Sequence, residues 1–216
     1  LPRISNFTDF NALEQIPGAG VRYVKSPDRL GRPDLILLPG TKNTMGDLQW
    51  LRESGMETAI LKEVRRDTPL LGICGGYQMM GESLEDPEGV EQGGAMRGMG
   101  LLPLRTRFAR QKTRTQVRGQ MLEQDGFFSA LAGAAFEGYE IHMGQTDAGG
   151  APPLICVDRA EGSKPAGAGG GNAAGCYIHG LFDSGSVRER LAQALYRRKG
   201  LDPAAVQTRQ RDYGAY

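Results

Sequence analysis

Three cysteines and two histidines are all that this 216-residue chain has of the side chains most used for metals, disulfides and nucleophilic chemistry. A set as sparse and odd as Cys74, Cys156 and Cys176 argues against a disulfide framework and fits a reducing, cytoplasmic compartment. No apolar run approaches the roughly 20 residues that span a bilayer, so no membrane association is expected. Residues 1–25 carry charges and prolines where a signal peptide has its apolar stretch. Charge of neither sign dominates: 26 Lys and Arg face 25 Asp and Glu, a net +1, which argues against a nucleic-acid groove. No G-x-x-x-x-G-K-[ST] phosphate loop occurs. An initiator Met and internal repeats are also missing. The chain is therefore expected to be one domain over residues 1–216, cut from a longer polypeptide.

What the chain does have, in its first half, is alternation of strand and helix signals. A short strand is expected over residues 1–7, a helix over 10–16 capped by Asp9, and a strand over 21–25 after breaks at Gly18 and Gly20. The apolar run Asp34-Leu35-Ile36-Leu37-Leu38, ended by Pro39-Gly40, has the pattern of a buried parallel strand. Residues 44–66 repeat apolar positions at helical spacing, with a break at Gly55. Pro69-Leu70-Leu71-Gly72-Ile73 is a second buried strand, followed by Cys74-Gly75-Gly76 and a helix over 77–84. This order predicts an α/β fold, an open and mostly parallel sheet with helices on both faces. Ligand sites of such sheets lie at the carboxyl ends of the strands, where Gly40 and Cys74 both fall.

The second half is more polar. Strands over 97–108 and 112–123, joined by a basic turn, are expected to extend the sheet in antiparallel fashion, with an alternating strand over 136–146. Residues 161–175, rich in Gly, Ala and Ser, are expected as a surface loop. A short strand ending at His179 and an amphipathic helix over 186–199 follow.

Chemistry concentrates at Gly72-Ile73-Cys74-Gly75-Gly76-Tyr77-Gln78. A nucleophile on a tight strand-to-helix turn adopts strained backbone angles that only small neighbours tolerate. The helix start beside it favours the thiolate, and the Gly75 N–H is aimed at a developing oxyanion. A small buried cysteine beside a glycine turn is the ordinary alternative, and the full local pattern outweighs it. The base must be His142 or His179; His179 is favoured because it precedes a glycine at a strand end, on the edge where Cys74 lies. His142 is left as a supporting or substrate-side residue. Cys176 and His179 are too few for a zinc site, which needs about four ligands, so no metal is expected. The Pro39-Gly40-Thr41 turn offers further N–H groups for an oxyanion hole.

These residues resemble the class I (triad-type) glutamine amidotransferase family, whose G-x-C-x-G-x-Q pattern is present as Gly72, Cys74, Gly76 and Gln78. Within that class the chain is most similar to the cobalamin-biosynthetic branch, specifically the C-terminal domain of the cobyric acid synthase family. The segments that carry this are Ile4-Ser5-Asn6-Phe7-Thr8-Asp9-Phe10, Leu38-Pro39-Gly40-Thr41-Lys42-Asn43-Thr44, Gly138-Tyr139-Glu140-Ile141-His142-Met143-Gly144 and Tyr177-Ile178-His179-Gly180-Leu181-Phe182. The resemblance implies a flavodoxin-like fold and a glutaminase in which Cys74 forms a thioester with glutamine and His179 is its base. It implies an oxyanion hole from Gly75, Gly40 and Thr41, and a contact of Gln78 with the substrate. Ammonia would pass to a synthetase domain of the same polypeptide, with ATP and Mg there and none here, to amidate corrinoid carboxylates on that missing portion. The family's usual Glu two residues after the His is Leu181 here, and Glu140 is the expected orienter of His179 in its place. A non-catalytic docking domain and a cysteine hydrolase of the same fold are the rival readings.

Overall fold

The computed structural model describes residues 1–205, with side chains at 1–110 and 114–204. Residues 206–216, the last of the expected domain, lie outside the described residues. In chain order the elements are β1 (Ile36–Leu38), α1 (Thr44–Glu53), α2 (Met56–Arg65), β2 (Leu70–Ile73), α3 (Gly75–Met79), β3 (Ser83–Asp86), β4 (Gly94–Arg97) and β5 (Arg105–Met121). Then follow β6 (Ala135–Asp147), β7 (Ile155–Val157), β8 (Lys164–Ala166), β9 (Ala168–Gly170), β10 (Ala173–Cys176), β11 (Ile178–His179) and α4 (Gly185–Arg198). Short 3-10 turns, the longest being Phe7–Gln15, fill the connections.

A four-stranded sheet in the order β1-β2-β10-β9 forms the centre. Its first three strands are parallel, with Leu38 beside Gly72 and Cys176 beside Ile73. Pleating sends alternate side chains to opposite faces, so β2 puts Leu70 into one core and Leu71 and Ile73 into another. The Leu70 core is closed by Met45, Leu48, Leu51, Met56 and Ile60 of α1 and α2. The other is closed by Phe10 and Leu13 of the 3-10 segment and by Val187 and Leu191 of α4. Helices therefore cover both faces, as expected, and Gly55, at φ 76, separates α1 from α2.

The second half builds a second, seven-stranded sheet with the path β11-β6-β5-β3-β4, antiparallel except where β3 pairs with β5. In place of the expected strands over 97–108 and 112–123, Arg97 ends β4, residues 98–104 form no strand, and one long strand, β5, runs through the expected turn; its pairing with β6 shifts register between Arg107 and Lys112. The chain steps from the first sheet to the second at Tyr177, between β10 and β11.

The helix expected over 77–84 ends with α3 at Met79, and Ser83 and Leu84 belong to β3. Other expectations fail for physical reasons. Residues 1–7 make only an isolated bridge, Ile4 to Thr41, and 21–25 find no partner strand, so neither forms a ladder. Asp9 does not cap its helix; Asn6 occupies that position, and Asp9 is buried. Residues 161–175 are no loop, since they contain β8, β9 and the start of the wholly buried β10. Their small side chains serve close packing: a Cβ at Gly175 would stand 2.5 Å from the Tyr77 ring. Among the described residues no helix is long and apolar enough to cross a membrane.

Candidate functional site

Strand β2 ends at Ile73, and the next residue turns the chain into α3. That residue is Cys74, at φ 53 and ψ −113, a conformation that costs a residue with a Cβ on the order of 1–3 kcal/mol. The turn is held because the Cys74 N–H donates to the Cys176 carbonyl (2.9 Å) and its carbonyl accepts from Gln78 (3.0 Å). Glycine at 76 lets α3 start against β1: a Cβ there would lie 2.1 Å from the Leu38 carbonyl oxygen. Cys74 is 8% exposed, and its thiol donates to the Ile141 carbonyl of β6 at 3.3 Å.

His179, at the end of β11, is 2% exposed and faces the same turn. A Cβ at Gly40 would sit 3.0 Å from His179 Cε1 and 3.5 Å from Cys74 Cβ, so three strand ends converge there. The ring's Nδ1 is 2.7 Å from Asp9 Oδ2, and the Gly180 N–H donates to Asp9 Oδ1 at 3.2 Å. Tyr139 stacks on the other side, centroids 5.4 Å apart. Burial alone would drive the imidazole toward neutrality, but the bond to Asp9 and interaction with Cys74 outweigh it and hold the ring protonated to about pH 9. Because Nδ1 faces a carboxylate, the neutral ring carries its proton on Nδ1, and Nε2 is the basic nitrogen.

Two backbone donors complete the arrangement. Neither Gly75 nor Thr41 N–H has an acceptor among the described residues. The Thr41 nitrogen lies 3.2 Å from where a Cβ on Gly75 would stand. Gly40 itself contributes its carbonyl to the Ser5 N–H (2.9 Å), so it shapes the turn. Gly40→Ala is therefore expected to keep the fold while pushing the His179 ring off Cys74. The rate of Cys74 modification by a small electrophile should drop severalfold, less than the roughly 10²-fold that a full 1 Å displacement can cost, because a 3.0 Å approach obliges the ring to give only slightly; an unchanged rate would show that the contact relaxes freely.

Two expected residues are placed otherwise. Glu140 does not orient His179: in the β11–β6 register His179 pairs with Tyr139, so the Glu140 side chain leaves the opposite face of the strand. It accepts from His142 Nε2 (2.9 Å) and from Arg159; burial favours its neutral form, but these bonds hold the carboxyl below its usual range. His142 stacks on Tyr177, centroids 3.8 Å apart, and bonds Gly144. Gln78 is 3% exposed and saturated within the protein: its amide donates to Met143 O and the Tyr177 hydroxyl, and it accepts from the Thr44 hydroxyl. It braces α1 against β6 and offers no free donor to a substrate. A cavity of about 610 Å³ lies behind this wall, lined by Glu140, His142, Thr146 and Tyr177 but by neither Cys74 nor His179.

Cys176 is buried in β10, and burial pushes its thiol up to about 12, which keeps it protonated and inert. Among the described residues no three His, Cys, Asp or Glu side chains gather as a metal site. Asp9 is the residue the sequence reading missed. Its signal was there, since it is the one acid in the distinctive segment over residues 4–10.

Residues 1–187 match the family model described as the CobB/CobQ-like glutamine amidotransferase domain. Proteins described as cobyric acid synthase are similar at 51% identity in Ruminiclostridium cellulolyticum, covering 94% of this chain and 40% of the relative. The Moorella thermoacetica protein of that description is 46% identical, covering 93% and 40%. The chain thus spans about 40% of the length of these curated relatives. Among solved structures, PurLQS from Thermotoga maritima superposes with a TM-score of 0.64 at 21% identity, covering 92% of this chain and 95% of that one. A glutamine amidotransferase superposes at 0.58 with 18% identity, covering 92% and 96%. At such identities the likeness shows the fold.

Proposed function

The chain belongs to the CobB/CobQ-like glutamine amidotransferase domain family, and on that premise we propose that it hydrolyses glutamine through a thioester on Cys74. The observation that carries this is a cysteine at φ 53 on a strand-to-helix turn, converging with a buried histidine whose Nδ1 is held by Asp9, which leaves Nε2 to exchange a proton with the thiol. With the thiol's proton held on His179 Nε2, sulfur attacks the side-chain amide carbon as the thiolate. The N–H groups of Gly75 and Thr41, on the turn after Gly40, receive the negative charge on oxygen. The C–N bond breaks as His179 returns the proton to nitrogen, releasing ammonia. Water, deprotonated by the same nitrogen, then attacks the thioester, and glutamate leaves as the thiol is restored.

Ammonia is proposed to serve an ATP- and Mg-dependent synthetase domain in the remainder of a polypeptide as long as the relatives. The likeness to cobyric acid synthases supports corrinoid carboxylates as acceptors, within cobalamin biosynthesis. A glutamine-analogue diazoketone tests the first part. The expected result is an adduct on Cys74, located by peptide mass spectrometry, suppressed by excess glutamine and missing from Cys156 and Cys176. Labelling that glutamine does not suppress would indicate a cysteine hydrolase of another specificity. No adduct even with the full-length polypeptide would leave a docking domain.

A further inference from the structure

The segment before Phe10 touches both halves of the site. Arg3 O accepts from the Lys42 N–H (3.0 Å) and the Thr41 hydroxyl (3.1 Å), and Ser5 N–H donates to Gly40 O. Ile4 bridges Thr41. At Asn6 the chain turns back in a left-handed conformation, φ 53, which asparagine tolerates better than most residues. Asn6 Nδ2 donates to the hydroxyl of Tyr139, the ring that stacks on His179 (3.2 Å). Three residues on, Asp9 reaches His179 itself.

We infer that Asp9 is a positioning residue for His179, the third member of the Cys74–His179 group, delivered by a segment that also seats the Gly40–Thr41 turn. The inference rests on the proposal that Cys74 and His179 are nucleophile and base. It fills the place that Leu181 leaves empty, from a part of the chain 170 residues distant in sequence. Both Asp9 oxygens receive a donor, the imidazole Nδ1–H and the Gly180 N–H, and the side chain is 4% exposed. Only a carboxylate satisfies two donors this way. An amide with its oxygen toward the ring would set its NH₂ against the Gly180 N–H. Turned over, it would donate to Nδ1, move the ring proton to Nε2 and remove the lone pair that faces Cys74.

The titratable groups around the ring are Asp9, Cys74, the stacked Tyr139 and Asp183, with Arg188 acting on Asp183. His179 therefore keeps its proton to about pH 9 against 6.5 for a free imidazole; the stabilisation this gives is full below 6.5 and is lost as pH rises through about 9.

Two measurements that need no glutamine test the assignment. One is the pH–rate profile of Cys74 alkylation by iodoacetamide; the other is ¹⁵N NMR titration of the two histidines, with His142→Gln to separate their signals. In Asp9→Asn the His179 midpoint should move down from about 9, alkylation at pH 7 should fall at least tenfold, and Asp9→Glu should recover part of it. A folded Asp9→Asn whose two profiles superimpose on the wild type would overturn the inference. Should that variant not fold, the wild-type spectrum still decides: neutral His179 must carry its proton on Nδ1, and a proton on Nε2 would sink the idea. Diazoketone labelling reports separately on glutamine, so loss of the substrate reading and loss of the Asp9 role are distinguishable.

Discussion

Glutamine hydrolysis is expected to fall by about 10⁴-fold or more in Cys74→Ala, and the double variant Cys74→Ala/His179→Ala should be no slower than that single change. Without the sulfur there is no acyl intermediate, so nothing remains for the imidazole to assist. His179→Ala alone keeps the nucleophile but removes the proton acceptor and the donor to leaving nitrogen, a loss of about 10²–10⁴-fold. The sum of the two single effects would then exceed the effect of both together. Measured by glutamate release, that shortfall is the signature of two groups acting in one step. Strict additivity would mean that His179 works elsewhere, for instance in holding Gly180 and the 3-10 turn after it. Cys74→Ala should not unfold the protein, since it removes one atom from a wall otherwise closed by Phe10, Ile73 and Phe182; His179→Ala leaves the buried Asp9 without its Nδ1 donor and should lower stability, so its rate is read on protein whose fold circular dichroism has verified.

How much of this was legible depended on whether the determining contacts are local. The Cys74 turn could be read because strand, nucleophile, glycines and helix all lie within residues 69–80, where apolar run and glycine spacing fix geometry without outside help. His179 was legible as a strand end on the sheet edge where Cys74 lies. What orients it was not, because a buried acid in a 3-10 segment and an ordinary helix cap have the same local sequence. Glu140 attracted attention by its place in an alternating strand, yet a shift of one residue sends a side chain to the other face of a sheet. The cross-strand partner of His179 turned out to be Tyr139. Composition misled at 161–175, where glycine and alanine were taken for flexibility. In β10 they allow Tyr77 to lie directly on the strand, so smallness there records contact.

That last point gives the prediction with the largest effect on stability. Gly76→Ala is expected to prevent folding or to lower stability by about 4 kcal/mol or more, the range reserved for overpacking that the structure cannot absorb. The added methyl would stand 2.1 Å from the Leu38 carbonyl oxygen, 2.6 Å from its carbon and 2.8 Å from its Cβ. A flexible side chain could swing away from such a contact; backbone of β1 cannot, since Leu38 is paired in register with Gly72 of β2. Moving α3 outward instead would drag Cys74 from its turn and break the bond from its N–H to Cys176. Either relaxation costs ladder bonds or the nucleophile's geometry, so a surviving fraction of folded protein should also react poorly at Cys74. Gly20→Ala is the control: nothing lies within 4 Å of its Cβ position, and it should shift the melting temperature by no more than a degree or two. At about 2–4 °C per kcal/mol for a chain of this size, the Gly76 variant should melt at least about 8 °C lower if it folds at all. A melting temperature within the control's range would mean that α3 packs on β1 more loosely than its closest contact implies, and that glycine at 76 answers to something other than space.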